Sequence, residues 1–139
     1  VGWLIKHRGT VFSYSFVLWL WLAALTLIII SPGETLFWLV GPIAGVGMGG
    51  VWVTSRAIVV ELSPPEKIGE FFGIYSLAGK MASIAGPLLW GSVVWIFQDT
   101  QTLKYRAAVG SLLLITIATI FLFNTLKKQI QTTRMFYGM

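Results

Sequence analysis

One ionisable side chain, Lys80, stands inside a long apolar stretch, and its neighbourhood is the part of this chain where chemistry is possible. A charge at membrane depth costs about 2.5 to 3.5 kcal/mol on insertion scales, so it normally has a reason to be there. Ser76 and Ser83 lie four residues before and three after it, a spacing that places all three on one face of a helix. Such a polar strip could line a water-filled path, with the Lys80 ammonium meeting an anionic group of a small molecule or a carboxylate from another helix. Two other uses remain open, snorkelling of the long lysine stem to the headgroups and a structural ion pair. Tyr75 is a further candidate for the path. With Gly79, Ala82 and Gly86 it also forms a face of small residues suited to helix packing.

No other constellation carries chemistry. Cysteine is absent and His7 is the only histidine, which excludes a disulfide framework, a thiolate metal site and a histidine-rich one. The glycines from Gly45 to Gly50 lie in an apolar run and make no phosphate-cradling loop, and no Ser, His and Asp set is in reach. The sequence implies no enzymatic activity, cofactor or metal.

The elements that must position Lys80 follow from composition. Of 139 residues, 56% are hydrophobic and 11% charged, too little charge to cover a soluble domain. The expected fold is all-α: four antiparallel transmembrane helices making one domain over 1–139, with spans at about 11–30, 36–55, 68–97 and 107–126 and a tail at 127–139. The first span has no charge, Pro or Gly across residues 11–30, matching the ~20 residues that cross a ~30 Å hydrocarbon core. Ser31, Pro32 and Gly33 break it. In the second span Gly41, Gly45 and Gly49 recur every fourth residue, which predicts a close-packing strip widened by Gly47 and Gly50. Pro42 and Pro87 each remove a backbone donor and are candidate bend points, with Gly86 beside the second. The loop from Arg56 to Glu70 carries a restart signal: Ser63 as a cap, Pro64 at the first helical position and Glu66 three residues after the cap.

The net charge of +5 is distributed as membrane topology requires and forms no stripe for nucleic acid. Lys6, Arg8, Arg56, Lys67, Lys127, Lys128 and Arg134 fall on one side of the four spans, whereas Lys104 and Arg106 are the basic residues of the other. Both termini and the middle loop are therefore predicted to be cytoplasmic, with Arg56 as a positive-inside anchor, in a multi-pass protein of the cell membrane. Trp38, Trp95 and Tyr105 then lie at the outer boundary and Trp52 at the inner one. Trp19 and Trp21, deep in the first span, are expected to pack between helices.

Several of these segments resemble a known family. Pro64-Pro65-Glu66-Lys67-Ile68-Gly69-Glu70-Phe71-Phe72-Gly73, followed by Gly86-Pro87 and Gly91, resembles the entry to the eleventh helix of major facilitator transporters. Gly49-Gly50, Ser55-Arg56, Glu70-Phe71-Phe72-Gly73-Ile74-Tyr75, Gly79-Lys80 and Gly86-Pro87-Leu88 are similar to the vacuole-effluxer-like branch of that superfamily. The segment from Gly2 to Gly9 looks like the short basic cytoplasmic loop between helices eight and nine. The resemblance implies that the four spans are helices nine to twelve of a larger fold, the remaining helices lying outside this chain. It also implies a secondary transporter working by alternating access and exporting amino acids or similar small metabolites. The alternative from the residues alone is a four-helix membrane protein with a structural or interaction role. The implied partners are the lipid bilayer, a small-molecule substrate and the remaining helices.

Overall fold

The computed structural model describes the backbone of residues 1–30 and 34–137 and, within these, the side chains except those at 34–37, 101–102 and 129–137. The turn expected at Ser31, Pro32 and Gly33 and the side chain of Arg134 lie outside the described residues. The chain runs α1 (Gly2–Arg8), α2 (Thr10–Ile30), α3 (Glu34–Leu62), a 3-10 turn (Pro65–Lys67), α4 (Ile68–Ile96) and α5 (Gln101–Tyr137). Four of these helices are long and apolar enough to cross a membrane: Thr10–Ile30, Trp38–Leu62, Pro65–Ile96 and Leu103–Lys128.

The segment from Gly2 to Gly9, expected as a loop, is a short helix. His7 Nδ1 lies 2.9 Å from the Trp3 carbonyl oxygen one turn back, and the two rings stack at 4.3 Å. Gly9 ends the helix at φ +84°, a conformation that favours glycine, and α2 starts at the next residue.

α2 is the centre of the bundle. It packs against both α3 and α5, while α4 rests on α5 and, more lightly, on α3. Five α2 residues are buried, Ser13, Val17, Leu18, Ala24 and Leu25, whereas α4 buries none. Buried hydroxyls are satisfied within their own helices: Ser13 Oγ donates to the Gly9 carbonyl at 2.8 Å, Thr54 Oγ1 to Gly50 at 2.7 Å and Thr116 Oγ1 to Leu112 at 2.9 Å. A medium without water demands this pairing.

The α2–α3 contact is made by glycines, though not by the period-four set. A Cβ on Gly50 would lie 2.7 Å from Val17 Cγ2, and one on Gly47 would lie 3.1 Å from Trp21 Cε3. Gly41, Gly45 and Gly49 have open space around the corresponding position. At about 100° per residue, that stripe is turned roughly 160° from Gly47, away from α2. Trp21 accordingly packs at Gly47. Trp19, two positions away and so on the other side of α2, is 58% exposed and departs from its expected packing role.

Helix ends also differ from the expected spans. α3 continues past Arg56 to Leu62 because Ala57-Ile58-Val59-Val60 sustains a helix, and Arg56 lays its guanidinium 5.3 Å from the Trp52 ring centroid without breaking it. Ser63 does not cap the following helix. Its hydroxyl donates back to the Val59 carbonyl, closing α3, and α4 begins after the 3-10 turn with Lys67 at its N-cap and no side-chain cap. α5 runs on as helix to Tyr137, through most of the expected tail, since no Pro or Gly interrupts residues 111–137.

Gly50→Ala is expected to destabilise the purified protein in detergent by about 1 to 3 kcal/mol through overpacking against Val17, with Gly47→Ala costing less because its nearest facing atom is 3.1 Å away rather than 2.7 Å. A thermal-melting series in one detergent checks the order.

Candidate functional site

Ser76, Lys80 and Ser83 share one exposed face of α4. The three Cα atoms span roughly 10 Å along the axis at a rise of ~1.5 Å per residue. Lys80 stands about 14 Å along the axis from Phe71, where the apolar run that follows Glu66, Lys67 and Glu70 begins, close to mid-depth of a ~30 Å core entered at Phe71. The Ser83 hydroxyl donates to the Lys80 carbonyl at 2.7 Å, so its proton is spent on its own helix and its oxygen remains an acceptor. Pro87, within α4, has no N–H to offer the Ser83 carbonyl, which adds another acceptor to the same strip. Beyond it, Pro87, Leu88, Gly91, Ser92 and Trp95 line an open groove of about 310 Å³. The face thus offers one ammonium donor and, within two turns, uncommitted oxygen acceptors.

Tyr75 is placed elsewhere. Its phenol oxygen lies 2.9 Å from Ser55 Oγ of α3, and its ring meets Phe72 edge-on at 6.3 Å. Ser55 Oγ also donates to the Val51 carbonyl at 2.6 Å, which leaves its lone pairs to accept the Tyr75 proton. The bond ties the C-terminal half of α3 to the first turns of α4. Further along that face Gly79 and Gly86 have nothing within 4 Å of a Cβ position, and Ala82 is exposed. At the same end Tyr14 of α2 meets Phe123 of α5 edge-on at 4.6 Å. The Ser55–Tyr75 pair was not foreseen from sequence, although an apolar span holding a Ser at one inner end and a Tyr at the next offers the two groups a reason to meet.

Arg56 stacks on Trp52 in the C-terminal half of α3, and Glu70 occupies the first turn of α4, where a carboxylate is favoured by the helix dipole. Gly2 and Gly9 bracket α1. Among the described residues no group of three or more His, Cys, Asp or Glu side chains could hold a metal ion.

Tyr75→Phe and Ser55→Ala should each lower stability, and the double variant should lose less than the two together, with a coupling of about 0.6 kcal/mol, the average for hydrogen bonds between membrane helices. Additive losses in a double-mutant cycle would show that the bond contributes nothing.

The helices and their motifs match known proteins. The model of the Major Facilitator Superfamily matches residues 1–135. The MFS-type transporter YxiO of Bacillus subtilis is 31% identical over 96 residues, covering 69% of this chain and 21% of that protein. Autophagy-related protein 22 of Eremothecium gossypii is 34% identical over 85 residues, 61% of this chain and 16% of that protein. The protein YqgE of Bacillus subtilis is 26% identical over 126 residues, 87% of this chain and 29% of its own length. The chain therefore spans less than a third of each of these relatives. No solved structure matches it. With four apolar helices and a family match along nearly its whole length, this chain is a multi-pass membrane protein belonging to the Major Facilitator Superfamily, a family of transporters.

Proposed function

We propose that this chain forms the helix-nine-to-twelve part of a secondary active transporter and that the Ser76–Lys80–Ser83 face of α4 lines its substrate path. The observation that carries the proposal is Lys80: an exposed ammonium near the middle of an apolar helix, on the helix the rest of the chain covers least. A lysine stem reaches about 6 Å, short of the ~15 Å from midplane to headgroups, so central placement favours a wet path over snorkelling.

The open glycine stripes fit the same assembly. Gly41, Gly45 and Gly49 on α3 and Gly79 and Gly86 on α4 are close-approach surfaces turned away from their neighbours in this chain. They would receive helices belonging to the rest of the transporter, with Pro42 and Pro87 as bend points during alternating access. The basic residues at these ends support a cytoplasmic side for both termini and for the connection between α3 and α4.

The cargo we infer is an amino acid or a similar small metabolite, moved outward from the compartment it occupies. The resemblance of this chain's motifs to the vacuole-effluxer-like branch supports this, as does the pairing of one ammonium with nearby acceptors. The stretches 11–30, 36–55, 71–97 and 107–126 contain no carboxylate that could bind a coupling ion.

Lys80→Ala and Lys80→Gln in the full-length protein are expected to reduce uptake of a radiolabelled amino-acid mixture into inverted vesicles by tenfold or more, since one lost charge contact of about 1.4 kcal/mol is a factor of ten. Lys80→Arg should retain part of the rate. Wild-type rates in all three at equal expression would remove Lys80 from the path.

A further inference from the structure

A second site lies outside the Lys80 face, at the inner end of α5. Phe121, Asn124, Thr125, Lys127 and Lys128 line a groove of about 540 Å³ there. Its place is defined by two neighbours in sequence. Phe123 is buried against Tyr14 and faces the bundle; at about 100° per residue the exposed Phe121, Thr125 and Lys128 are turned roughly 150° from it, the exposed Asn124 about 100° and the half-buried Lys127 about 40°. The groove therefore runs from the edge of the packed face, at Lys127, round to the open side of α5, at Phe121 and Thr125. It also straddles the end of the apolar span, which closes at Lys128.

We infer that this groove binds an anionic glycerophospholipid of the cytoplasmic leaflet, its phosphate held by Lys127 and Asn124 and its acyl chain laid along Phe121. Three features carry the assignment. The first is the gradient of the lining: Phe121 lies within the hydrocarbon and Lys127 about 9 Å further along the axis, close to the distance from upper acyl chain to phosphate in a bilayer.

The second is charge. α5 carries no acidic residue from end to end, and Lys104, Arg106, Lys127, Lys128 and Arg134 are its only charged groups, so the potential at its inner end is positive. Basic pockets at the cytoplasmic ends of membrane helices attract anionic headgroups, each Lys or Arg contributing about 1 kcal/mol. Lys128 already takes part in an interaction within the protein, so the assignment rests on Lys127, whose stem is half-buried, and on the amide of Asn124.

The third is the donor and acceptor inventory. A phosphate diester accepts only, and Lys127 and the Asn124 amide donate. Thr125 spends its proton on the Phe121 carbonyl at 3.1 Å, leaving an oxygen that accepts from a headgroup hydroxyl. That pattern suits a headgroup bearing both a phosphate and free hydroxyls, such as phosphatidylglycerol. A soluble phosphate would gain nothing from Phe121.

The inference requires the membrane placement of α5 and does not depend on the transport activity. Full-length protein is purified from a detergent wash of defined stringency and reconstituted with equal phosphatidylglycerol and phosphatidylcholine, and bound lipid is counted by native mass spectrometry. Retention of phosphatidylglycerol is expected to fall about fivefold in Lys127→Gln, the factor for one basic residue near the surface. It should persist in Lys127→Arg and fall again in Phe121→Ala. Lys6→Gln with Arg8→Gln removes two charges from the same membrane side without touching the groove and should leave retention unchanged. Unchanged retention in Lys127→Gln overturns the site. An equal fall in the Lys6 and Arg8 variant overturns it in favour of diffuse attraction, and displacement by glycerol 3-phosphate at the lipid's own concentration overturns it in favour of a free phosphate.

Discussion

The close approach of α3 to α2 at Gly50 is the contact on which the arrangement of this chain depends. In a bilayer, apolar surface gains nothing by leaving the lipid, so helices associate only where packing is tight or hydrogen bonds cross between them. Here a glycine lets the Val17 methyls sit where a Cβ would have been, and Gly47 repeats the arrangement against Trp21 one turn earlier. Hydroxyl groups along this seam are satisfied by their own helix one turn back, as Thr54 is by Gly50, so the seam needs no partner from water. α2 and α3 form a pair, and α5 closes on the other side of α2 through contacts such as Tyr14 with Phe123.

α4 is held differently. It buries no residue, it has no glycine in close contact, and the side-chain hydrogen bond that joins it to α3 lies near one end, at Tyr75 and Ser55. Anchored there and leaning on α5, it leaves its central face open, and that face carries Lys80. The combination has a physical sense. Under the proposed transport role, a helix that offers polar groups to a mobile cargo cannot also commit that face to packing, and its anchorage is displaced to the end where the backbone turns. Pro87 continues the logic by freeing a carbonyl on the open side.

The number, order and kind of the helices could be read from sequence, because stretches such as residues 11–30 run for about 20 residues without a charge, Pro or Gly. Family membership was legible for the same reason that motifs persist: the run around Pro64 and the Gly86-Pro87 pair sit at a turn and a bend, where backbone geometry restricts the residue. Helix ends were less legible. Arg56 and Lys127 mark where the membrane ends, but a charged residue does not stop a helix, and both helices run on. Ser63 satisfied the spacing of a capping box, yet its hydroxyl found the Val59 carbonyl behind it first. The glycine stripe was legible only in part. Period four identifies a face but not its neighbour, and Gly50 meets α2 while Gly41, Gly45 and Gly49 look outward. Tyr75 could not be assigned to path or packing without the position of Ser55, which lies twenty residues away.

The central claim is that the Ser76–Lys80–Ser83 face meets water inside the membrane. The chain has no cysteine, so single cysteines introduced into it report their own surroundings. Labelling of Ser76→Cys, Ser83→Cys and Ile74→Cys by a charged, water-soluble maleimide in intact membranes tests the claim most directly, because Ile74 lies about 150° around the helix from the strip. The account predicts labelling at positions 76 and 83 at least tenfold faster than at 74. Equal, slow labelling at all three would contradict it and return Lys80 to a structural role.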